Sequence, residues 1–245
     1  MIILGDIGNT ETKICLVNKN KIIKKILLPS KGIKLNILDK HFKRFQFSKF
    51  KKILFCSVVP STFKEVKKYF KKKTKIKCFE LKELNLRSIL KIEVNYKQVG
   101  SDRLANAISV STKNKNFIIL DFGTATTFDI LIGNNYKGGI ISPGIKLSLN
   151  TLSDKASLIP KINLKKMSKV VGKDTKSAVR SGFFWGYAGL IDNIIKLIKK
   201  ETGKSFKVIL TGGFSDLFKN SIKIKTIQNK DITIKGLIKI LKLIK

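Results

Sequence analysis

Apolar residues fall in short runs broken by turn residues, and one order of runs occurs twice along the chain. Residues 2–4 lead into Asp6-Ile7-Gly8-Asn9-Thr10, a second run at 14–17, the turn residues Asn18-Lys19-Asn20 and a third run. Residues 117–120 lead into Asp121-Phe122-Gly123-Thr124-Ala125-Thr126-Thr127, a second run at 128–132, the turn residues Gly133-Asn134-Asn135 and a third run. Each series reads strand, turn, strand, turn, strand. A pattern that repeats at about half the chain length predicts duplicated domains, here 1–114 and 115–245. Between the strand series the apolar spacing approaches 3.6 residues, which predicts helices over 61–73, 101–112 and 175–200, the last stopping at Gly203. Further strands are expected at 52–58 and 206–210. The stretch 232–245 predicts a final basic amphipathic helix packed on the sheet.

Composition places the chain among globular proteins, with 43% hydrophobic and 27% charged residues in 245. No apolar run approaches the roughly 20 residues of a membrane span. The opening Met1-Ile2-Ile3-Leu4-Gly5-Asp6 has neither a basic leader nor a small-residue cleavage site, so a cytoplasmic protein is expected. Cys15, Cys56 and Cys78 lack metal-ligand spacing and read as reduced, mostly buried thiols. His41, the single histidine, stands beside Phe42 and Lys43 without a partner motif and reads as a surface residue. The formal charge of +35 invites a nucleic-acid or anionic-membrane reading. Yet only Arg44, Arg87, Arg103 and Arg180 are arginines, and the lysines are scattered among many Ile and Asn residues. Arginine supplies the bidentate contacts of dedicated nucleic-acid readers. Compositional drift is therefore the preferred account, with no specific nucleic acid and no membrane as partner.

Candidate chemistry sits at the turns. A tight Gly-bearing turn after a strand brings backbone N–H groups near phosphate oxygens, and an Asp at the strand end can hold Mg²⁺ directly or through water. Asp6-x-Gly8 with Asn9, Thr10 and Thr12 fits that use, and fits a plain hairpin as well. Asp121-x-Gly123-Thr124-Ala125-Thr126-Thr127 is sharper, with one carboxylate and three hydroxyls in seven residues. Two such loops, one per half, suit a nucleotide gripped between domains. Leu210-Thr211-Gly212-Gly213 allows a close backbone approach to a ligand. Gly100-Ser101-Asp102-Arg103 precedes a helix. It reads either as an N-cap or as a proton acceptor beside a cation for an anionic substrate. Residues 138–144 read as a turn-rich loop lining the cleft, continued by Thr151 and 156–160.

In order and spacing these motifs resemble the type III pantothenate kinases, of the acetate kinase, sugar kinase, Hsp70 and actin superfamily. The resemblance spans almost the whole chain and includes 175–182. It implies an α/β fold of two ribonuclease H-like (actin-like ATPase) domains with a central interdomain cleft, a homodimer, and phosphorylation of pantothenate by ATP at the first step of coenzyme A synthesis. It places ATP and Mg²⁺ at Asp6, Ile7, Gly8, Asn9, Thr10, Glu11, Thr12 and Lys13, with Thr124 also on ATP. It places pantothenate near Gly100, Ser101, Asp102, Arg103 and Thr175, and makes Asp102 the proton acceptor. It gives Asp121 a monovalent cation, K⁺ or NH₄⁺. One stretch departs from the pattern: Glu93 stands where relatives carry Tyr, and Tyr96 where Pro follows Asn95, so no substrate role is assigned to Tyr96. Two rival readings are a family-related transcription accessory factor without kinase activity and a basic nucleic-acid-binding protein.

Overall fold

The computed structural model describes residues 1–244. By internal contacts the chain divides into two units. The first holds Met1–Ser111, Asn134–Tyr136 and the segment from Asp231 on; the second holds Thr112–Gly133 and Lys137–Lys230. The segment from Asp231, which the sequence reading gives to the second domain, groups with the first unit instead.

The first unit is built on β1 (Ile2–Ile7), β2 (Glu11–Asn18), β3 (Lys21–Pro29), α1 (Leu35–Phe42), β4 (Lys52–Ser57), α2 (Pro60–Lys73), β5 (Cys78–Glu80), β6 (Lys91–Ile92) and α3 (Ser101–Val110). Its sheet runs β3-β2-β1-β4-β5. The first three strands are antiparallel neighbours; β4 lies parallel to β1, and β5 parallel to β4. Lys19 and Asn20 close the β2–β3 hairpin with φ of 46° and 62°, the left-handed pair that a two-residue hairpin turn demands. Side chains alternate along a strand, so each strand feeds two layers. Ile3, Ile7, Ile53 and Phe55 join Val66, Tyr69 and Phe70 of α2 and Phe42 of α1 in one core. Leu4, Asp6, Leu54 and Cys56 take the alternate positions and face the opposite layer.

The second unit repeats the plan with β7 (Phe117–Phe122), β8 (Ala125–Ile132), β9 (Asn135–Pro143), α4 (Ile145–Lys155), α5 (Thr175–Thr202), β10 (Lys207–Gly212), α6 (Ser215–Phe218) and β11 (Thr226–Gln228). The strand order is β11-β10-β7-β8-β9, with β6 beyond β9. Read from β9, this is the order of the first sheet, as the repeated apolar pattern predicts. The start of β9 groups with the first unit, where Asn135 and Tyr136 pair with Lys91 and Ile92. Ile118, Leu120, Phe122 and Phe128 pack on Phe184, Ala188, Ile191 and Ile195 of α5. That helix starts in a capping box between Asp174 and Ser177 and ends at Gly203 with φ 63°, a left-handed C-cap that suits glycine. Residues 138–144, expected as a loop, form the second half of β9 and the N-cap of α4. Their glycines hide a strand that alternates half-buried and exposed positions.

The last described α-helix, α7 (Ile232–Ile240), packs chiefly on α3 and touches β1 and β4. Lys25 pairs with Asp231 at 2.7 Å where the helix begins. Thr233 donates to Asn106 Oδ1 at 2.7 Å. Gly236 lies so close to α3 that a Cβ there would stand 1.9 Å from the Ala105 carbonyl oxygen.

Candidate active site

In the first unit β1 ends in the Asp6 turn, closed by Gly8 N–H donating to Glu11 O at 3.0 Å. Ile7 and Thr12 of this run are buried, and the Thr12 hydroxyl is shared with Ser30 at 2.8 Å. These two side chains brace the hairpin, so neither is available to a ligand. Asn9, Thr10 and Glu11 are exposed, while Asp6, Gly8 and Lys13 are half-buried. Asp6 pairs in register with Lys13 on β2 and Cys56 on β4, and the Cys56 thiol points at Asp6 Oδ1, 3.5 Å away. Burial, and next the negative charge of Asp102, push the Asp6 carboxyl from 3.8 up to about 6. The Lys13 charge opposes this in part.

Asp102 belongs to the first turn of α3. Contrary to the N-cap reading, neither Ser101 nor Asp102 caps this helix: Gly100 is the N-cap, with no side-chain cap bond. Asp102 Oδ1 instead accepts from Arg103 N–H at 2.8 Å. A Cβ on Gly100 would lie 2.4 Å from that same oxygen, so the glycine leaves the carboxylate its room. Burial raises the Asp102 carboxyl above its usual range, against the Arg103 N–H and the positive charges of Arg103 and Lys82. Two carboxyl groups that repel each other where solvation is poor favour a cation, or a proton on one of them. The Ser101 hydroxyl is 1% exposed; it accepts from Ser57 N–H at 2.7 Å and lies 2.9 Å from Ser57 O. Tyr96 donates to Lys82 O at 3.3 Å, and the Lys82 ammonium sits 5.4 Å from its ring centre.

The second unit carries the second turn. Asp121 is half-buried near the end of β7 and pairs with Thr127 on β8 and Thr211 on β10. Gly123 and Thr124 are exposed at the tip, Thr127 is half-buried and Thr126 is buried. Gly144 abuts this turn: a Cβ would stand 2.0 Å from Thr124 O. Gly212, at φ 82°, presses on it from β10, where a Cβ would meet Asp121 Oδ1 and the Phe122 backbone at 2.6 Å. Thr175 opens α5, exposed, directly after its capping Asp174. The structure thus gathers Asp6, the 8–13 turn and Gly100–Arg103 in the first unit, and Asp121, Thr124, Gly144 and Gly212 in the second. Glu80 and Ser57, which border the Asp102 helix, carry no motif in the sequence. Neither does Asp129, fully buried on β8 opposite Ile119.

A family model described as type III pantothenate kinase matches residues 2–197. The chain belongs to this family. A type III pantothenate kinase of Pelagibacter ubique (strain HTCC1062) is 66% identical over 248 residues, with all of both chains covered. Among solved structures, a Campylobacter jejuni protein provisionally described as a Baf family transcriptional activator superposes with a TM-score of 0.60 at 22% identity, covering 98% of this chain and 97% of that one. MreB 5 of Spiroplasma citri, bound to AMPPNP, superposes with a TM-score of 0.54 at 12% identity, covering 98% and 96%. At such identities the structural likeness establishes the fold alone, an actin-like α/β fold with two sheets. The pantothenate kinase matches establish the family, whose members are named for a kinase activity.

Proposed function

We propose that this chain transfers the γ-phosphoryl group of ATP to the primary hydroxyl of pantothenate, the first step of coenzyme A synthesis in the cytoplasm. The observation that carries the assignment of roles is Asp102. It is a half-buried, uncapping carboxylate in the first turn of α3, close enough to Asp6 for its charge to raise the Asp6 carboxyl. Phosphoryl transfer asks a protein mainly for positioning and charge stabilisation. Asp102 orients the attacking hydroxyl and accepts its proton, and its raised carboxyl is a better base than an exposed aspartate. Arg103 and the positive end of α3 favour an anionic substrate at the same place. The exposed Asn9, Thr10 and Glu11, with the turn N–H groups and Thr124, serve as ATP contacts. Gly100, Ser101 and Thr175 are assigned to the pantothenate side.

Asp6 fits Mg²⁺, which is commonly held by one or two carboxylates together with substrate phosphates, and its raised carboxyl marks a place short of positive charge. Among the described residues no group of three or more His, Cys, Asp or Glu side chains converges as a complete metal cage, so the phosphates would supply the remaining ligands. When bound, the ion would neutralise phosphate charge. Asp121 would hold K⁺ or NH₄⁺, since the donors around its turn are oxygens: its own carboxylate and the carbonyls of Gly123 and Thr124. We assign the homodimer contact to α5, where Gly182, Gly186 and Gly189 have nothing within 4 Å of the place a Cβ would take.

The test is a coupled assay with pantothenate and ATP, with and without K⁺. Asp102→Asn is expected to lower turnover by about 10²–10⁴, the usual worth of a general base, while ATP affinity measured by calorimetry stays close to wild type. Near-normal turnover in that variant sinks the role given to Asp102. Equal rates in K⁺ and Na⁺ count against Asp121.

A further inference from the structure

Glu80 is a half-buried acid that the phosphoryl-transfer scheme leaves idle, and it holds three elements together. It closes β5, opposite Phe55 of β4. Its Oε1 accepts from Ser57 N–H at 3.3 Å and its Oε2 from Lys82 N–H at 2.6 Å. The Ser101 hydroxyl lies close enough to lower this carboxyl in part. That hydroxyl has a single proton and two acceptors in reach, Glu80 and Ser57 O at 2.9 Å, and it accepts from the same Ser57 N–H at 2.7 Å. The last residue of β4, the last residue of β5 and the first residue of α3 are thereby tied at one point. Ser57 follows Cys56, the neighbour of Asp6, and Ser101 precedes Asp102. Val58 Cγ1 stands 3.3 Å from the place of a Cβ on Gly100, which fixes the helix start from the other side.

We propose that Glu80 is a positioning residue for Asp102, acting through Ser57 and Ser101. A carboxylate suits the task because it accepts from several donors at once; burial raises its carboxyl, and those donors offset the rise. A small misplacement of a catalytic group is amplified in the rate. Glu80 touches neither Asp102 nor, in the scheme above, either substrate. Its effect therefore belongs in turnover rather than in nucleotide binding.

The inference rests on Asp102 being the proton acceptor, and the experiment separates the two claims. Glu80→Gln keeps size and one acceptor, but sets an amide N–H₂ against the N–H groups the carboxylate now receives. Glu80→Asp keeps the charge and draws it back by one carbon, which guards against a Gln variant that fails to fold. Each is made alone and with Asp102→Asn, and kcat, the KM for each substrate and the kcat–pH profile are measured. Each single variant is expected to lose about 10-fold in kcat, with little change in KM for ATP and a shifted acid limb. Neither should cause further loss beside Asp102→Asn. Unchanged kcat, or the same factor lost in both backgrounds, overturns the inference and leaves the role of Asp102 intact. Full turnover in Asp102→Asn alone overturns both.

Discussion

Asp6 holds its charge against its surroundings. Free in an unfolded chain it titrates near 3.8, and in the folded protein near 6. Below pH 4 both states carry the proton and the difference vanishes. As pH rises from about 4 to about 6, the unfolded chain gives up the proton that the folded chain still holds, so stability falls across that window and stays lower above it. Without nucleotide or metal, Asp6→Asn is expected to be more stable than wild type by about 2–3 kcal/mol at pH 8 and by little at pH 4, as read from urea unfolding. A gain that does not depend on pH would refute this account. By the same titration, kcat/KM for ATP should fall below about pH 6, since that ratio reports groups in the free enzyme. Gly100 makes the complementary case. Alanine there needs the space of Asp102 Oδ1, a movable side-chain atom, so Gly100→Ala should displace the carboxylate rather than unfold the chain. The expected outcome is a fall in kcat of about 10-fold or more with a melting temperature close to wild type.

The packing of α7 on α3 is set by a missing side chain. The atom that a Cβ on Gly236 would strike is a backbone oxygen, which cannot rotate away. Gly236→Ala should therefore force the helices apart and cost about 1–3 kcal/mol, as overpacking does, with a further loss of turnover because α3 carries Asp102. A urea midpoint equal to that of wild type would show that the contact yields more easily than its geometry implies. How much of this was legible in the sequence follows from what a local pattern can encode. The two repeated strand series, β4, β10 and the helices α2, α3, α5 and α7 showed in their apolar runs, whereas the short strands β5, β6 and β11 and the helices α1 and α4 drew no expectation. Residues 138–144 did not show as a strand, because glycines there mimic a turn while neighbouring strands supply the pairing. Ile232, Ile234, Leu237 and Ile240 announced a buried face, but not that α3 would cover it. Glu80 was invisible because Ser57, Glu80 and Ser101 meet only after β4 and β5 have paired.

For the molecule as a whole, the charge of +35 forms a broad field rather than a site. It should bring anions such as ATP closer and hold nucleic acid loosely. Duplex DNA is expected to bind at about 50 mM salt without sequence preference and to be released by about 200 mM, as measured by fluorescence anisotropy. Tight, sequence-dependent binding that survives physiological salt would revive the nucleic-acid reading. The proposed dimer has an equally direct check: Gly186→Glu should shift the mass by light scattering to that of one chain, and an unchanged dimer would move the contact off α5. A different consequence follows from the return of the chain to the first unit after residue 230. Translation delivers α7 after the other α-helices described, so until it emerges the nascent Asp102 helix waits with one apolar flank uncovered. A premature stop just short of α7 would release a polypeptide holding both motif-bearing hairpins and the eleven described strands, yet with no firm seat for its base.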